Sequence, residues 1–597
     1  MKKVPESKLR EILLKYALIN AIEHEGKADK KAVIKKLVVD EPAIREILKN
    51  REEREKLMQT AEEIINKVNE MPINEQEELL SKRFGITIEQ ILLERAKRTR
   101  TGLPPLPQAK KGKVITRFAP APSGALHIGH ILRAAFIPYV YAKKIYDGKF
   151  IVRLEDTDPR RIKPIYYEWI LEDLKAVGIE WDELIYESDH FDKYYEVIEE
   201  LFKRGKAYVC TCSREEFQKY KLQKKPCPHR DTQDDVRYWE KMLNGTYKEG
   251  EAVVRLKTKM ADPNPALRDP PLARIIDSVP HPRTGYKYRV YPLYNFACAV
   301  EDHMSKVTHV IRAKEHEVNE HVQRRIYQAL GWETPIFIQY GMLLIEGMEL
   351  HKRHIREKLK KGDILGWDDI TLPTVRALLR RGIHPKALRL MAFHVGLSLR
   401  DARVELKTLY YFNRQVINPI AKRIFFVEAS GWKLTIKDAP EKLVARIPWN
   451  PESLEVGFRE YRLFSTKKNG ERVVELFISE RDLDLLRDAV KMRHYLRLKG
   501  LATILIEDIN EREKIVTAKF VTEKTLPGLK IIHWVPYADD LRLSAFLEKP
   551  NGEVIPGYVE LLAANLRPGD YVQLERIGFG RIIRNEGEVV RIAFAHP

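Results

Sequence analysis

Residues 114–154 restrict the fold more than any other stretch of the chain. Val114-Ile115-Thr116-Arg117-Phe118 has the apolar density of a buried strand, and residues 119–126 form a Pro/Gly-rich turn. Gly129–Lys144 has helical periodicity, and after Gly148 the run Phe150–Leu154 makes a second strand. Strand, glycine turn, helix and strand within about forty residues compose one βαβ unit, the nucleotide-binding half of a doubly wound sheet. The turn reads Phe118-Ala119-Pro120-Ala121-Pro122-Ser123-Gly124-Ala125-Leu126-His127-Ile128-Gly129-His130. Such a turn lets a polyanion approach the backbone, and the helix after it offers unpaired N–H groups and the positive end of its dipole. His127 and His130 stand at the start of that helix, at a spacing that suits a metal no better than a phosphate. Donors aimed at a triphosphate would stabilise the charge that grows as its α-phosphate is attacked.

A second α/β segment follows at Val307–Ala313 (strand), His316–Leu330 (helix) and Ile336–Gln339 (strand). The length of 597 residues predicts roughly three to five domains. The pattern divides into a helical appendage or docking module at 1–100 (partner unspecified), a Pro-rich basic linker at 101–113, and the first half of the sheet domain at 114–205. An insertion at 206–290 holds three of the four Cys. The second half of the sheet domain spans 291–347, a loop and helical connecting domain 348–423, and a β-rich region 424–597. In that last region short strands such as Arg423–Val427, Val473–Phe477, Thr503–Ile506, Ile531–Val535 and Val572–Glu575 predict one or two β-barrels. The fold class is therefore multidomain, α/β plus all-β. No apolar run approaches the roughly 18–20 residues that span a bilayer, the N-terminus lacks an apolar signal core, and four Cys exclude a disulfide framework. A cytoplasmic protein without a membrane partner is expected. Lys and Arg exceed Asp and Glu by 105 − 86 = 19, a balance that suits a phosphate-bearing partner such as a nucleic acid.

The segment around His127 and His130 resembles the HIGH signature of the class I aminoacyl-tRNA synthetases, set where that family has it, between a strand and a helix. A second family signature, a Lys-bearing loop after the second half of the sheet, is matched by Met348-Glu349-Leu350-His351-Lys352-Arg353-His354-Ile355. It is similar to the KMSKS-type loop, with His351 where Ser is usual and Glu349 where Lys or an apolar residue is usual. The resemblance implies ATP binding by Pro120, Ala121, Pro122, Ser123, Gly124, Leu126, His127, Gly129, His130 and Lys352. It also implies catalytic roles for His127, His130, Lys352 and Arg353, the last as a second phosphate donor.

Five further segments resemble the glutamyl-tRNA synthetases of the archaeal and eukaryotic type. They are Arg153–Pro159, Tyr291–Ala297, Thr308–His316, Ile531–Val535 and Gly569–Arg576. The likeness runs from about 110 to 597 and implies a Rossmann-like catalytic domain with a helical N-terminal appendage and anticodon-binding β-barrels at the C-terminus. By resemblance, Arg312 faces the distal carboxylate of L-glutamate, which suits the planar fork of a guanidinium; a surface ion pair with Glu315 or Glu317 is the plainer reading. Arg117 would bind a substrate carboxylate, Glu155 the α-amino group, and Tyr294 would pack beside the amino acid. Cys298 is either a pocket-lining residue or a buried small one.

Cys210-Thr211-Cys212 and Cys227-Pro228-His229 give Cys-x-Cys, fourteen residues, Cys-x-His. Three thiolates and one imidazole satisfy tetrahedral Zn2+ with no open position, a structural site; unliganded buried thiols are the alternative. The function implied is activation of glutamate by ATP, carried with Mg2+, and transfer to the 3′ end of tRNA(Glu), with tRNA(Gln) open as a second acceptor. The rivals are a glutaminyl enzyme of the same branch, a small nucleotidyltransferase on the same sheet, and a catalytically silent tRNA-binding relative.

Overall fold

The computed structural model describes residues 5–24, 26–48, 50–98, 103–231, 234–348, 352–468 and 470–597. Thr101 and Gly102 of the expected linker, and Glu349, Leu350 and His351 of the expected Lys loop, lie outside the described residues. The chain forms two compact bodies. One takes in 1–71, 79–352 and 388–405, the other 72–78, 353–387 and 406–597. Residues 348–423, expected as one connecting domain, are divided between them. Among the described residues no helix is long and apolar enough to cross a membrane.

The first body opens with helices, and Arg51–Glu70 shows why they form. Asn50 Oδ1 accepts from the N–H groups of Glu52 (3.0 Å) and Glu53 (3.2 Å), and both acidic side chains lie at the positive end of the helix. Leu57, Ala61, Ile64, Ile65 and Val68 recur at three- and four-residue spacing and bury one face, which packs against Glu6–Glu23.

The sheet that follows is parallel. Ile115–Phe118 pairs with Lys149–Leu154, and that strand with Glu183–Tyr186. His309–Ala313 pairs with Ile336–Tyr340. The two halves join where the Ile115 N–H donates to Thr308 Oγ1 (2.9 Å) and the Thr308 N–H donates to the Ile115 carbonyl (3.0 Å). The strand order reverses at that junction, which is the switch point where open α/β sheets bind ligands. The helix expected at Gly129–Lys144 runs from His130 to Ile145, but only Phe136–Tyr139 is α-helical. His130–Ala135 and Val140–Ile145 are wider π turns. Pro138 sits inside this helix with no N–H to donate, and apolar spacing over so few turns does not separate the two windings. Between the halves, Ala207–Cys210, Val253–Leu256, Pro271–Ile275 and Val290–Pro292 form an antiparallel sheet.

The second body holds two β cores. The seven-stranded sheet is closed by one short segment that pairs with both of its ends. Lys422–Ile424 lies beside Tyr571–Leu574, and after the buried Phe425 the chain continues as Phe426–Glu428 beside Val554–Glu560 at the other end of the same sheet. The run expected as one strand, Arg423–Val427, is thus two. In the eight-stranded sheet Lys530–Ile532 pairs with Tyr495–Leu498, and Val535–Pro536 pairs with Glu471–Ile478, whose other end pairs with the terminal strand Thr466–Lys468. Closure of the seven-stranded sheet in this manner removes its exposed edges.

Candidate active site

A cleft of about 1110 Å³ opens at the C-terminal ends of Ile115–Phe118 and His309–Ala313, in the first body. The glycine-permitted turn forms one rim. Pro120, Ala121, His127, Gly129 and His130 line the cleft, whereas Pro122, Ser123, Gly124 and Leu126 shape the turn without lining it; Leu126 is fully buried in the core. The two imidazoles stack, ring centroids 3.6 Å apart. The His127 backbone N–H donates to His130 Nδ1 at 3.2 Å, which leaves the remaining proton of His130 on Nε2. Burial, with His127 and Lys352 nearby, pushes the His130 pKa well below the ordinary histidine value. At neutral pH this ring is therefore an uncharged donor. Lys352 Nζ donates to the Gly124 carbonyl at 3.3 Å, at the same rim. Arg353 belongs to the second body, is largely exposed, and pairs with Glu357 one helical turn on at 2.9 Å.

Beneath the cleft the charges are matched. Arg117 donates to both oxygens of Asp302 (3.0 and 3.2 Å), and Arg153 donates to Asp302 Oδ1 at 2.6 Å and to Glu155 Oε1 at 3.1 Å. Burial would raise the Asp302 pKa, but the two guanidinium groups override it and hold the carboxyl below its usual range. Glu187, also against Arg153, goes the other way. Burial and Glu155 push its pKa well above the carboxylate range, against the pull of Arg153. Cys298 lies under this layer, fully buried and off the cleft wall, and its S–H donates to Glu155 Oε1 at 3.2 Å. Burial, and then Glu155, hold the thiol protonated. Of the five residues expected to touch substrate, Arg117, Glu155, Tyr294 and Arg312 line the cleft and Cys298 does not. Arg117 is already held by a carboxylate of the protein, a partner with no counterpart in the motifs; Glu301 and Asp302, two acids that follow the apolar run Phe296–Val300, were the available signal.

Arg312 is 5% exposed and makes no ion pair among the described residues, neither with Glu315 nor with Glu317. Its Nη1 donates to Gln323 Oε1 at 3.0 Å, while Nε and Nη2 have no hydrogen-bond partner among the described residues. Its guanidinium lies over the Phe337 ring, 4.8 Å from the centroid. Arg133 was not foreseen. It is 1% exposed on the cleft wall, donates to the Gly341 carbonyl and faces Tyr340.

In the insertion, Cys210, Cys212, Cys227 and His229 bring one ligand atom each to within 4.8 Å of one another. Cys210 Sγ and Cys227 Sγ are 3.8 Å apart, and Cys212 Sγ is 3.3 Å from His229 Nδ1. Three thiols and an imidazole, converging from the end of strand Ala207–Cys210, the turn after it and the 227–229 turn, are the donor set of a closed, four-coordinate metal site.

The family model for tRNA synthetases class I (E and Q), catalytic domain, matches residues 113–419, and two models for the anti-codon binding domain of the same enzymes match 421–523 and 531–583. Three curated proteins named glutamate–tRNA ligase are similar over almost the whole chain. The one from Pyrococcus abyssi is 44% identical, covering 98% of this chain and 99% of its own length. Those from Pyrococcus furiosus and Pyrococcus horikoshii are each 43% identical, covering 98% of this chain and 100% of their own lengths. The chain belongs to the class I tRNA synthetases of the E and Q family, with a catalytic domain followed by anticodon-binding β domains.

Proposed function

We propose that the chain is a glutamate–tRNA ligase and that the cleft is where glutamate is activated. The observation that carries the choice of amino acid is Arg312, a buried cation with two unpartnered nitrogens in a cleft-lining position. A carboxylate offers it a bidentate partner; a neutral amide would leave the charge unmatched. Full-length relatives named for glutamate support the same reading.

In this account a glutamate α-carboxylate oxygen attacks the α-phosphate of ATP, supplied with Mg2+. The bond to the pyrophosphate oxygen breaks, and glutamyl-adenylate forms. A ribose hydroxyl at the 3′ end of tRNA(Glu) then attacks the acyl carbon and AMP leaves. Neutral His130 donates its Nε2–H to the phosphate chain, and Lys352, at the same rim, adds positive charge as the leaving group builds negative charge. Glu155 receives the α-amino group, and Tyr294 flanks the side chain.

Zn2+ held by Cys210, Cys212, Cys227 and His229 would tie these segments of the insertion together, where the acceptor end is expected. In the second body the hairpin Lys442–Pro448 and Phe458–Phe464 points Lys442, Arg446, Arg462, Phe458 and Phe464 outward. Exposed cations interleaved with aromatic rings suit unpaired anticodon bases. The test is charging of separate tRNA(Glu) and tRNA(Gln) transcripts with labelled glutamate and glutamine. Glutamate on tRNA(Glu) is expected. Glutamate on both marks broader acceptor use. Glutamine on tRNA(Gln) alone, or no product, overturns the reading.

A further inference from the structure

The partners of Arg312 form a chain of uncharged groups. Gln323, fully buried, accepts from Arg312 Nη1 and donates from Nε2 to Asn295 Oδ1 at 3.3 Å. Asn295 Nδ2 donates to Asn319 Oδ1 at 3.2 Å, and Asn319 Nδ2 donates to His316 Nδ1 at 3.0 Å. The Tyr294 hydroxyl closes the chain 3.5 Å from the same nitrogen, back at the cleft. The histidine in this chain is neutral as well. Burial, then Arg312 and Arg117, push it down to about 4.

We infer that Gln323 is a specificity-determining positioning residue: it fixes the Arg312 guanidinium through one nitrogen with an uncharged oxygen, so that the fork's remaining edge and its whole charge are left for an anionic side chain in the cleft. This rests on the glutamate reading above and deepens it. A carboxylate at position 323 would hold the guanidinium in the same place at least as firmly, since charge-assisted hydrogen bonds are the stronger ones. It would also neutralise Arg312 from within, and a second carboxylate beside the first would be repelled. Geometry and charge therefore make opposite predictions for one substitution. If Gln323 only positions Arg312, Gln323→Glu is harmless and Gln323→Met is harmful. If the neutrality of its oxygen matters, Gln323→Glu is the worse of the two.

The experiment is steady-state charging of tRNA(Glu) by wild type, Gln323→Glu and Gln323→Met, titrating L-glutamate, L-glutamine and ATP in turn. The expected result is a KM for glutamate raised about 100-fold in Gln323→Glu and less than about 10-fold in Gln323→Met. The KM for ATP stays within about two-fold in both, and the preference for glutamate over glutamine collapses only in Gln323→Glu. A Gln323→Glu enzyme whose glutamate KM is equal to or lower than that of Gln323→Met overturns the inference while leaving the glutamate reading intact. A wild type that charges no glutamate overturns both. Should Gln323→Glu not fold, Asn295→Asp brings the charge one amide further away. There the glutamate KM is expected to rise about 10-fold, and an unchanged value overturns the inference.

Discussion

Beneath the cleft, Arg117 and Arg153 meet the carboxyl groups of Asp302, Glu155 and Glu187. On the wall of the same cleft Arg312, equally buried, meets an amide oxygen and an aromatic face. The chemistry of the side chains is the same and their burial is similar. What differs is whether the protein supplies the counter-charge. The matched layer is complete by itself and sets the ends of the sheet strands against the helix Tyr294–Met304. The unmatched arginine is complete only when something anionic enters, and the desolvation cost already borne by Arg312 becomes selectivity for that ligand.

The largest effect comes from unmatching the lower layer. Asp302→Asn takes from two buried guanidinium groups the carboxylate they share and should lower the unfolding free energy by about 3–5 kcal/mol, read by denaturant titration. Unmatched charge is removed instead of created in Arg312→Met. Charging with glutamate should fall by roughly 10²–10³-fold in kcat/KM, while stability does not fall. Removing the metal ligands tests a region apart from both layers. Cys227→Ser should take the zinc content from about one per chain to well under one and open the 206–290 insertion to proteolysis.

The effect that is smallest at neutral pH is a pH slope. His316 has its pKa lowered to about 4 in the folded chain, against about 6.5 when unfolded. Between these values the unfolded chain binds the extra proton. Stability is therefore full above about pH 6.5 and declines as pH falls toward 4, by up to about 1.4 kcal/mol per pH unit from this group. His316→Asn should flatten that slope in equilibrium unfolding measured at stepped pH.

Much of the catalytic sheet was legible in sequence because its signals are local. The strand, the turn, and both His residues sit within 114–130, and the three Cys of the insertion lie close together in a chain with only four. What escaped is long-range or depends on winding. Asp302 pairs with an arginine 185 residues away, and Gln323 reads as any polar residue on a helix until the fold sets it beside Arg312. Cys298 is one turn from Tyr294 but faces down instead of into the cleft. The π turns that flank Pro138 share their apolar spacing with an ordinary helix. In the second body the strands were visible one by one, but closure of the seven-stranded sheet by the single segment 422–428 is a property of pairing partners that no local pattern states.

The most direct measurement of the unmatched-charge account is thermal unfolding of wild type and Arg312→Met, each alone, with saturating L-glutamate and with saturating L-glutamine. The account predicts that glutamate raises the wild-type Tm and glutamine does not, and that Arg312→Met alone melts no lower than wild type and responds to neither. A wild type stabilised equally by both amino acids, or an Arg312→Met variant that melts lower yet keeps the glutamate shift, would contradict it.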